Sequence, residues 1–473
     1  MPETFIFNPS QQGIWENELA FPKTAVNTIS VRLTVNIKDP VRVKEAVDTV
    51  IKNSDVFYAK LSSKEAEPAF LLQDNPISLS EITGVMEADD AIEYVSERDS
   101  SPLPKDTLYE AKIVPLAGDH SMVYARFHHV IIDGFGMSLF VQKVLDSIEG
   151  REVKRSSFFS KASSYENDDK ADEKFWLDYF KDVDFSPSVY SEEPTSIEKE
   201  LYSRPLPRYF QESLFDFAAR NDTTVPYVML SAFAIYLSGA TVKDDAVILM
   251  PRLNRRPEEM ETLGCYTLLV PVRIHIDEKD SFLDVVRKAA KAGREASKHK
   301  GYGMSKLMKL LRSDGIVDES VSEYVFNYYS KKPYSENTGF DLFISVAGAM
   351  HNHITMTVGD SGESLVMALD GRCGVTGNER LSFFADSIET ILKQGIKRPN
   401  DPVSNFSIIG DVETIRVLSA RGTDSPYDRE ATIISEFDRA VRRFGKRPAI
   451  YAGDKSLSYK QLSPARRLYG RCV

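Results

Sequence analysis

The chain has 473 residues, 42% of them hydrophobic, 10% aromatic and 27% charged, a balance that excludes a disordered chain or a small stapled scaffold and suits roughly two or three folding units. A formal net charge of -11 argues against a nucleic-acid or anionic-membrane surface, since both partners would be repelled over most of the molecule. The cysteines Cys265, Cys373 and Cys472 lie far apart, without the pair spacing of a zinc or redox site, and read as small buried hydrophobes.

Met1-Pro2-Glu3-Thr4 carries no basic flank or apolar core of a secretory signal. From Ile29 to Ile37 the residues Ile29, Val31, Leu33, Val35 and Ile37 alternate with polar ones, which predicts a half-buried strand. Asp39-Pro40 then opens a helix, with Val43, Ala46, Val47, Val50 and Ile51 at helical spacing. Met122 to Phe127 reads as a second strand, and Met137, Phe140, Val141, Val144 and Ile148 line a helix that stops at Gly150. The charged stretch from Lys161 to Lys199, broken by Phe175-Trp176-Leu177, suits a surface-exposed helix and connector.

Tyr227 to Leu237 is the longest apolar run; it is too short to span a bilayer, contains Ser231, and reads as the core helix of a cytoplasmic protein. Strand then helix returns at Val270, Val272, Ile274 and Ile276, followed by Asp280-Ser281 and the stripe Phe282, Val285, Val286, Ala289. Ile354 to Val358 and Leu365 to Leu369 predict a hairpin around Gly359-Asp360-Ser361-Gly362, and Leu381, Phe384, Ile388 and Ile391 a late helix. After the linker-like Arg421-Gly422-Thr423-Asp424-Ser425-Pro426, the segment from Ala431 has a helix-like start and a strand-like Pro448-Ala449-Ile450-Tyr451. It is too short to fold alone.

His128-His129-Val130-Ile131-Ile132-Asp133-Gly134 falls between the strand from Met122 and the helix after Gly136. Adjacent side chains on extended backbone point to opposite sides, so one imidazole can face a cavity while the other is held in the protein. Asp133 can brace the turn, and Gly134 lets the backbone bend or come close to a ligand. Two satisfied histidines with no chemical role remain an alternative; a metal site lacks a third ligand at suitable spacing.

The string from His128 to Gly134 resembles the signature of the condensation domains of nonribosomal peptide synthetases: two histidines, three variable residues, Asp and Gly. Pro9-Ser10-Gln11-Gln12-Gly13-Ile14-Trp15 is similar to that family's opening motif, and Gly264 through Pro271-Val272-Arg273 to its second-lobe strand motif. Phe175-Trp176, His299 to Leu307 and Phe326-Asn327-Tyr328 are weaker matches in the expected order. Leu457-Ser458-Tyr459-Lys460-Gln461-Leu462 is similar to the first motif of adenylation domains. Two departures stand out: Tyr58 occupies the place of an arginine that often pairs with the motif aspartate, leaving Arg32 or Arg126 to partner Asp133, and Leu268 and Leu269 stand where Asn-Thr is common.

The resemblance implies an α/β fold with two chloramphenicol-acetyltransferase-like lobes in a V around a central tunnel. The boundaries it suggests are 1–178 for the N-terminal lobe, 179–418 for the C-terminal lobe, 419–430 for a linker and 431–473 for the start of an adenylation domain. It implies that His129 is catalytic, with His128, Asp133 and Gly134 in support, no metal and no tightly bound cofactor. Phosphopantetheine arms would be brought by carrier proteins or coenzyme A. The opening motif so close to Met1 suggests a starter type, which takes a fatty acyl group from acyl-CoA or an acyl carrier protein and joins it to an aminoacyl group on a downstream peptidyl carrier protein. The adjoining adenylation domain would be the other partner of a monomeric enzyme that binds neither nucleic acid nor membrane. Ester formation, ordinary peptide-bond formation and a non-catalytic docking module of the same fold are the competing readings.

Overall fold

The computed structural model describes residues 4–62, 68–104, 106–160, 169–190, 196–317, 320–330, 342–346, 352–360, 364–419, 431–453 and 455–463. Its first half runs β1 (Thr4–Ile6), α1 (Pro9–Ala20), β2 (Thr28–Val35), α2 (Pro40–Lys52), β3 (Ala59–Leu61), β4 (Ala69–Leu72), β5 (Glu81–Ile82), α3 (Ala88–Asp99), β6 (Tyr109–Pro115), β7 (Ser121–His128), α4 (Gly134–Ile148) and α5 (Asp169–Phe180). The second half continues with β8 (Lys199–Pro205), α6 (Arg208–Arg220), α7 (Val225–Thr241), β9 (Asp245–Arg252), β10 (Leu268–His275), α8 (Phe282–Lys298), α9 (Met304–Ser313), β11 (Tyr324–Ser330), β12 (Leu342–Val346), β13 (Ile354–Asp360), β14 (Leu365–Arg372) and α10 (Asn378–Lys397). The fold is mixed α/β, as the alternation of strand and helix periods predicts.

Each half builds a sheet covered by helices on both faces. On β7, Val123, Ala125 and Phe127 point into a core shared with α2 and α4, while Met122 and Tyr124 pack with Ala91 and Val95 of α3. This is the two-residue period of a strand read off its packing partners. In the six-stranded sheet, ordered β10-β9-β11-β13-β14-β8, Ala246, Ile248 and Met250 of β9 face the core of α6, α7, α8 and α10, and Val247 and Leu249 face that of α5 and α9. The hairpin of β13 and β14 pairs Ile354 with Gly371 through Asp360 with Leu365, as its alternation predicts; Ser361 and Gly362 of the expected turn lie outside the described residues.

Two expectations are adjusted. α5 lies on the surface as expected but is not exposed all round, because Trp176 and Phe180 are buried against the second sheet while Lys170, Glu173 and Lys174 stay exposed. β2 is not half-buried, for Thr28 and Ser30 on its polar face are covered as well as Ile29 and Val31. The reason is topological: β2 is internal in the order β12-β2-β7-β6-β5, and its outer neighbour β12 comes from beyond residue 340. Ile29 to Leu33 pair antiparallel with Val346 to Leu342. A division of the chain near residue 178 therefore leaves out one strand that crosses back to the first sheet. Among the cysteines, Cys265 is buried and Cys373 only partly so, while Cys472 lies outside the described residues.

Local signals set the helix starts. Asp39 caps α2 by accepting the Val41 N–H at 3.0 Å, with Pro40 in the first turn. Ser281 and Asp284 form a reciprocal capping box on α8. The apolar run from Tyr227 lies in α7, whose side chains are largely buried. Among the described residues no single helix is long and apolar enough to cross a membrane; α6 and α7 together have that composition but meet at 103°.

α7 ends on Val242 in the left-handed region, φ 55°, with the side chain 87% exposed. A β-branched residue is strained there, whereas glycine is not. Val242→Gly is expected to stabilise the protein by about 0.5–1 kcal/mol, after the extra freedom of glycine in the unfolded chain is discounted. A urea midpoint that stays the same or falls at unchanged slope would remove the strain from the account.

The compact unit ends at Asp411, and Val412–Val473 forms a second. In it α11 (Asp411–Ser419) and α12 (Ile433–Phe444) precede an antiparallel pair of β15 (Pro448–Ala452) and β16 (Lys455–Ser458). No residue of α12 is buried. The expected linker falls almost entirely on 420–430, outside the described residues.

Candidate active site

β7 ends at His128, and the next five residues form the turn into α4. The N–H of His128 donates to the Leu108 carbonyl at 2.7 Å, and that of His129 to the Asn27 carbonyl at 2.6 Å. These bonds hold the paired histidines between the strand β2 starts and the loop ahead of β6. Val130, Ile131 and Ile132 anchor the turn in the first core. α1 closes over it: the Gln11 amide donates to the Val130 carbonyl at 2.9 Å, and Asn8, the cap of α1, donates to the Cys265 carbonyl at 3.1 Å. The opening motif of the sequence thus braces the histidine motif directly.

The two histidines have different surroundings. His128 Nδ1 accepts the Val130 N–H at 3.1 Å, so its ring proton resides on Nε2, which lies 3.3 Å from Glu18 Oε2. The same oxygen accepts the Asn27 side-chain amide at 3.0 Å. Burial alone would raise the Glu18 carboxyl, but the hydrogen bonds from His128 and Asn27 outweigh it and hold the group below its ordinary value. His129 keeps part of its surface accessible, yet its Nδ1 is buried and meets no hydrogen-bond partner. Burial pushes this imidazole below the usual histidine range, against smaller opposing pulls from its own carbonyl and from Asp133.

Asp133 is fully buried and faces away from this chemistry. Its Oδ1 accepts the Gly136 N–H at 2.7 Å, capping α4, and Arg255 Nη2 at 3.0 Å. Oδ2 accepts the N–H groups of Tyr266 and Thr267 and the Thr267 hydroxyl at 2.9 to 3.0 Å. Arg255 donates further to the carbonyls of Glu259 and Gly264 at 3.0 Å, and lies over the rings of Tyr266 and Phe135, 4.3 and 4.7 Å from their centroids. Neither side chain of this pair touches solvent. Burial opposes ionisation of Asp133, but Arg255 and the N–H groups of Gly136 and Tyr266 prevail and hold it below its ordinary value.

The partner of Asp133 is therefore Arg255 and neither Arg32 nor Arg126. Arg126 bonds Glu110 at 2.7 Å on the far side of β7. Tyr58 donates to the Lys52 carbonyl at 2.8 Å, and Asp55 in the same segment accepts Ser157 Oγ and the N–H of Phe158. Sequence reasoning missed both Arg255 and Glu18. Arg255 stands in the charged run before the second-lobe motif, a place that could have drawn notice; nothing in the sequence distinguishes Glu18 from its neighbour Glu16.

Gly134 has ordinary helical backbone, and a Cβ built there would meet nothing within 4 Å. Neither the backbone conformation nor the packing demands glycine at this exposed position. Gly264 differs: a Cβ would come within 2.2 Å of the Phe158 ring. Leu268 is buried, and Leu269 packs against the core beneath α5 and α9. Among the described residues no cluster of three or more His, Cys, Asp or Glu side chains is placed to hold a metal ion.

Comparison with known proteins gives this geometry a context. The chain is 24% identical over 486 residues to surfactin synthase subunit 1 of Bacillus subtilis (strain 168), covering 96% of this chain but 13% of that protein. It is 21% identical over 383 residues to bacitracin synthase 1 of Bacillus licheniformis, covering 76% of this chain and 7% of that one. The chain thus spans a small part of the curated relatives it matches. Among solved structures it resembles the first condensation domain of the calcium-dependent antibiotic synthetase, with a TM-score of 0.74 at 17% identity over 86% of this chain and 99% of the other. It also resembles a variant of the starter condensation domain of rhizomide synthetase in complex with C8-CoA, with a TM-score of 0.73 at 16% identity over 85% and 97%. These likenesses establish a two-lobed fold of the chloramphenicol-acetyltransferase kind. Residues 1–418 match the condensation-domain family, and the chain belongs to it.

Proposed function

We propose that the chain is a starter condensation domain that N-acylates an aminoacyl thioester on a carrier protein, using a fatty acyl thioester as donor. The observation that carries the amide-forming reading is His129: a partly accessible residue whose main chain is held to Asn27 and whose imidazole is kept by burial below the usual histidine range, hence neutral and able to accept a proton near pH 8. In the reaction the α-amine attacks the thioester carbonyl, a C–N bond forms, the C–S bond breaks, and the departing sulfur leaves as a thiol with a proton from the amine. The acceptor amine has a pKa of about 8, so much of it is already neutral near that pH. His129 needs only to orient it and take its proton as the tetrahedral intermediate forms. The space before Gly134 gives the thioester room.

The donor assignment is supported by the likeness to the rhizomide starter domain bound to C8-CoA. A second reading, transfer of a peptidyl group, is favoured by the relatives, among which are surfactin and bacitracin synthases. Carrier proteins are the partners in either case, and the segment 431–473 would begin an adjoining adenylation domain. A competition separates the readings: acyl-CoAs from two carbons upward and a peptidyl carrier are offered together to one aminoacyl carrier, and the products are weighed. Each buried methylene contributes about 0.8 kcal/mol, about fourfold in selection, so a medium or long chain is expected to win. Dominance of the two-carbon donor or of the peptidyl carrier would overturn the lipid-starter assignment while leaving condensation intact.

A further inference from the structure

We propose that Glu18 is a positioning residue for His129, acting through His128 and Asn27; the proposal rests on the amide-forming reading above. A closed set of contacts carries it. Glu18 Oε2 accepts His128 Nε2–H at 3.3 Å and the Asn27 amide at 3.0 Å, and the Asn27 carbonyl in turn accepts the His129 N–H at 2.6 Å. On its other nitrogen His128 accepts the Val130 N–H, and Val130 is held to α1 by Gln11. One carboxylate oxygen therefore ties the ring of the first histidine to the residue that anchors the main chain of the second.

The arrangement specifies geometry more than charge. Because the Val130 N–H occupies Nδ1 of His128, the ring can meet Glu18 only as a donor through Nε2, and an amide oxygen at position 18 would serve as well as a carboxylate. Without an acceptor there, His128 Nε2 and the Asn27 amide both lose a partner in a half-buried place, and the Asn27 carbonyl is free to shift. Misplacement of a reacting group by about an ångström costs on the order of 100-fold in rate.

The test compares Glu18→Ala and Glu18→Gln with the parent, each as the full chain. In the amide-forming assay Glu18→Ala is expected to lower kcat roughly 10- to 100-fold with KM for both substrates little changed, and Glu18→Gln to restore it to within about threefold. Equal loss in the two variants, or a higher acceptor KM in both, would show that the carboxylate acts by its charge on the acceptor and would overturn the positional role. A second readout does not depend on turnover: imidazole 15N shifts should report the Nε2–H tautomer of His128 in the parent and in Glu18→Gln. In Glu18→Ala the Val130 N–H still fixes that tautomer, but the His128 Nε2 signal should move with the loss of its acceptor and the His129 signal should be displaced. Unchanged His128 and His129 signals in Glu18→Ala would overturn the proposal. If the parent makes no amide with any donor, the functional reading fails by itself, and the spectra still decide the part played by Glu18.

Discussion

Asp133→Ala is expected to lower stability by about 3–5 kcal/mol, the range for breaking a buried ion pair from one side. Arg255 would be left as a buried cation, and the N–H groups of Gly136, Tyr266 and Thr267 would lose their acceptor. Asp133→Asn should come close to the same loss. Whichever way the amide is turned, its NH2 group faces donors: Gly136 and Arg255 on one side, Tyr266 and Thr267 on the other. Denaturant titration of both variants checks this; an alanine variant as stable as the parent but inactive would move Asp133 into the chemistry. The pH dependence has a definite sign. The folded pKa lies below the 3.8 of a free aspartate, so this contribution is present above about pH 4 and is lost as pH falls through the lower folded value.

His129→Ala should behave in the opposite way, with amide formation reduced roughly 10²- to 10⁴-fold and stability changed by no more than about 1 kcal/mol. His129 keeps part of its surface accessible, and its buried Nδ1 has no partner to lose. Because burial depresses the folded imidazole below 6.5, the parent rate should rise with the ionisation of the acceptor amine near pH 8 and show no His129 limb at or above 6.5. Single-turnover rates and melting curves of the variant provide the check. Near-parental turnover with an unchanged melting curve would remove His129 from the mechanism.

Much of this architecture was legible because short-range physics wrote it into short windows. The alternation through Ile29, Val31, Leu33 and Val35, the helix start at Asp280-Ser281 before α8 and the paired alternations of β13 and β14 each follow from side-chain period or capping alone. The segment from His128 to Gly134 announced itself by composition and by its place between strand and helix. What stayed hidden depends on partners far along the chain. Arg255 lies 122 residues from Asp133, within a polar run that reads as exposed loop until the two halves meet. Glu18 sits on α1, where polar and apolar residues follow no clear stripe, so nothing marks which face turns toward the histidines. The burial of Trp176 was missed for a related reason: a charged helix with a few aromatics reads as surface unless a second sheet face is known to need covering.

The return of β12 to the side of β2 has a consequence for biogenesis. As the chain emerges from the ribosome, β2, β6 and β7 are complete long before Val346 is made, so the first lobe must wait with the outer rim of β2 unpaired. At about 5–20 residues per second that wait lasts on the order of tens of seconds, during which an open strand can recruit a neighbouring nascent chain as readily as its own. Closure of the first lobe is thus timed by synthesis of the second, and cellular yield depends on how well that rim is shielded until its own strand arrives.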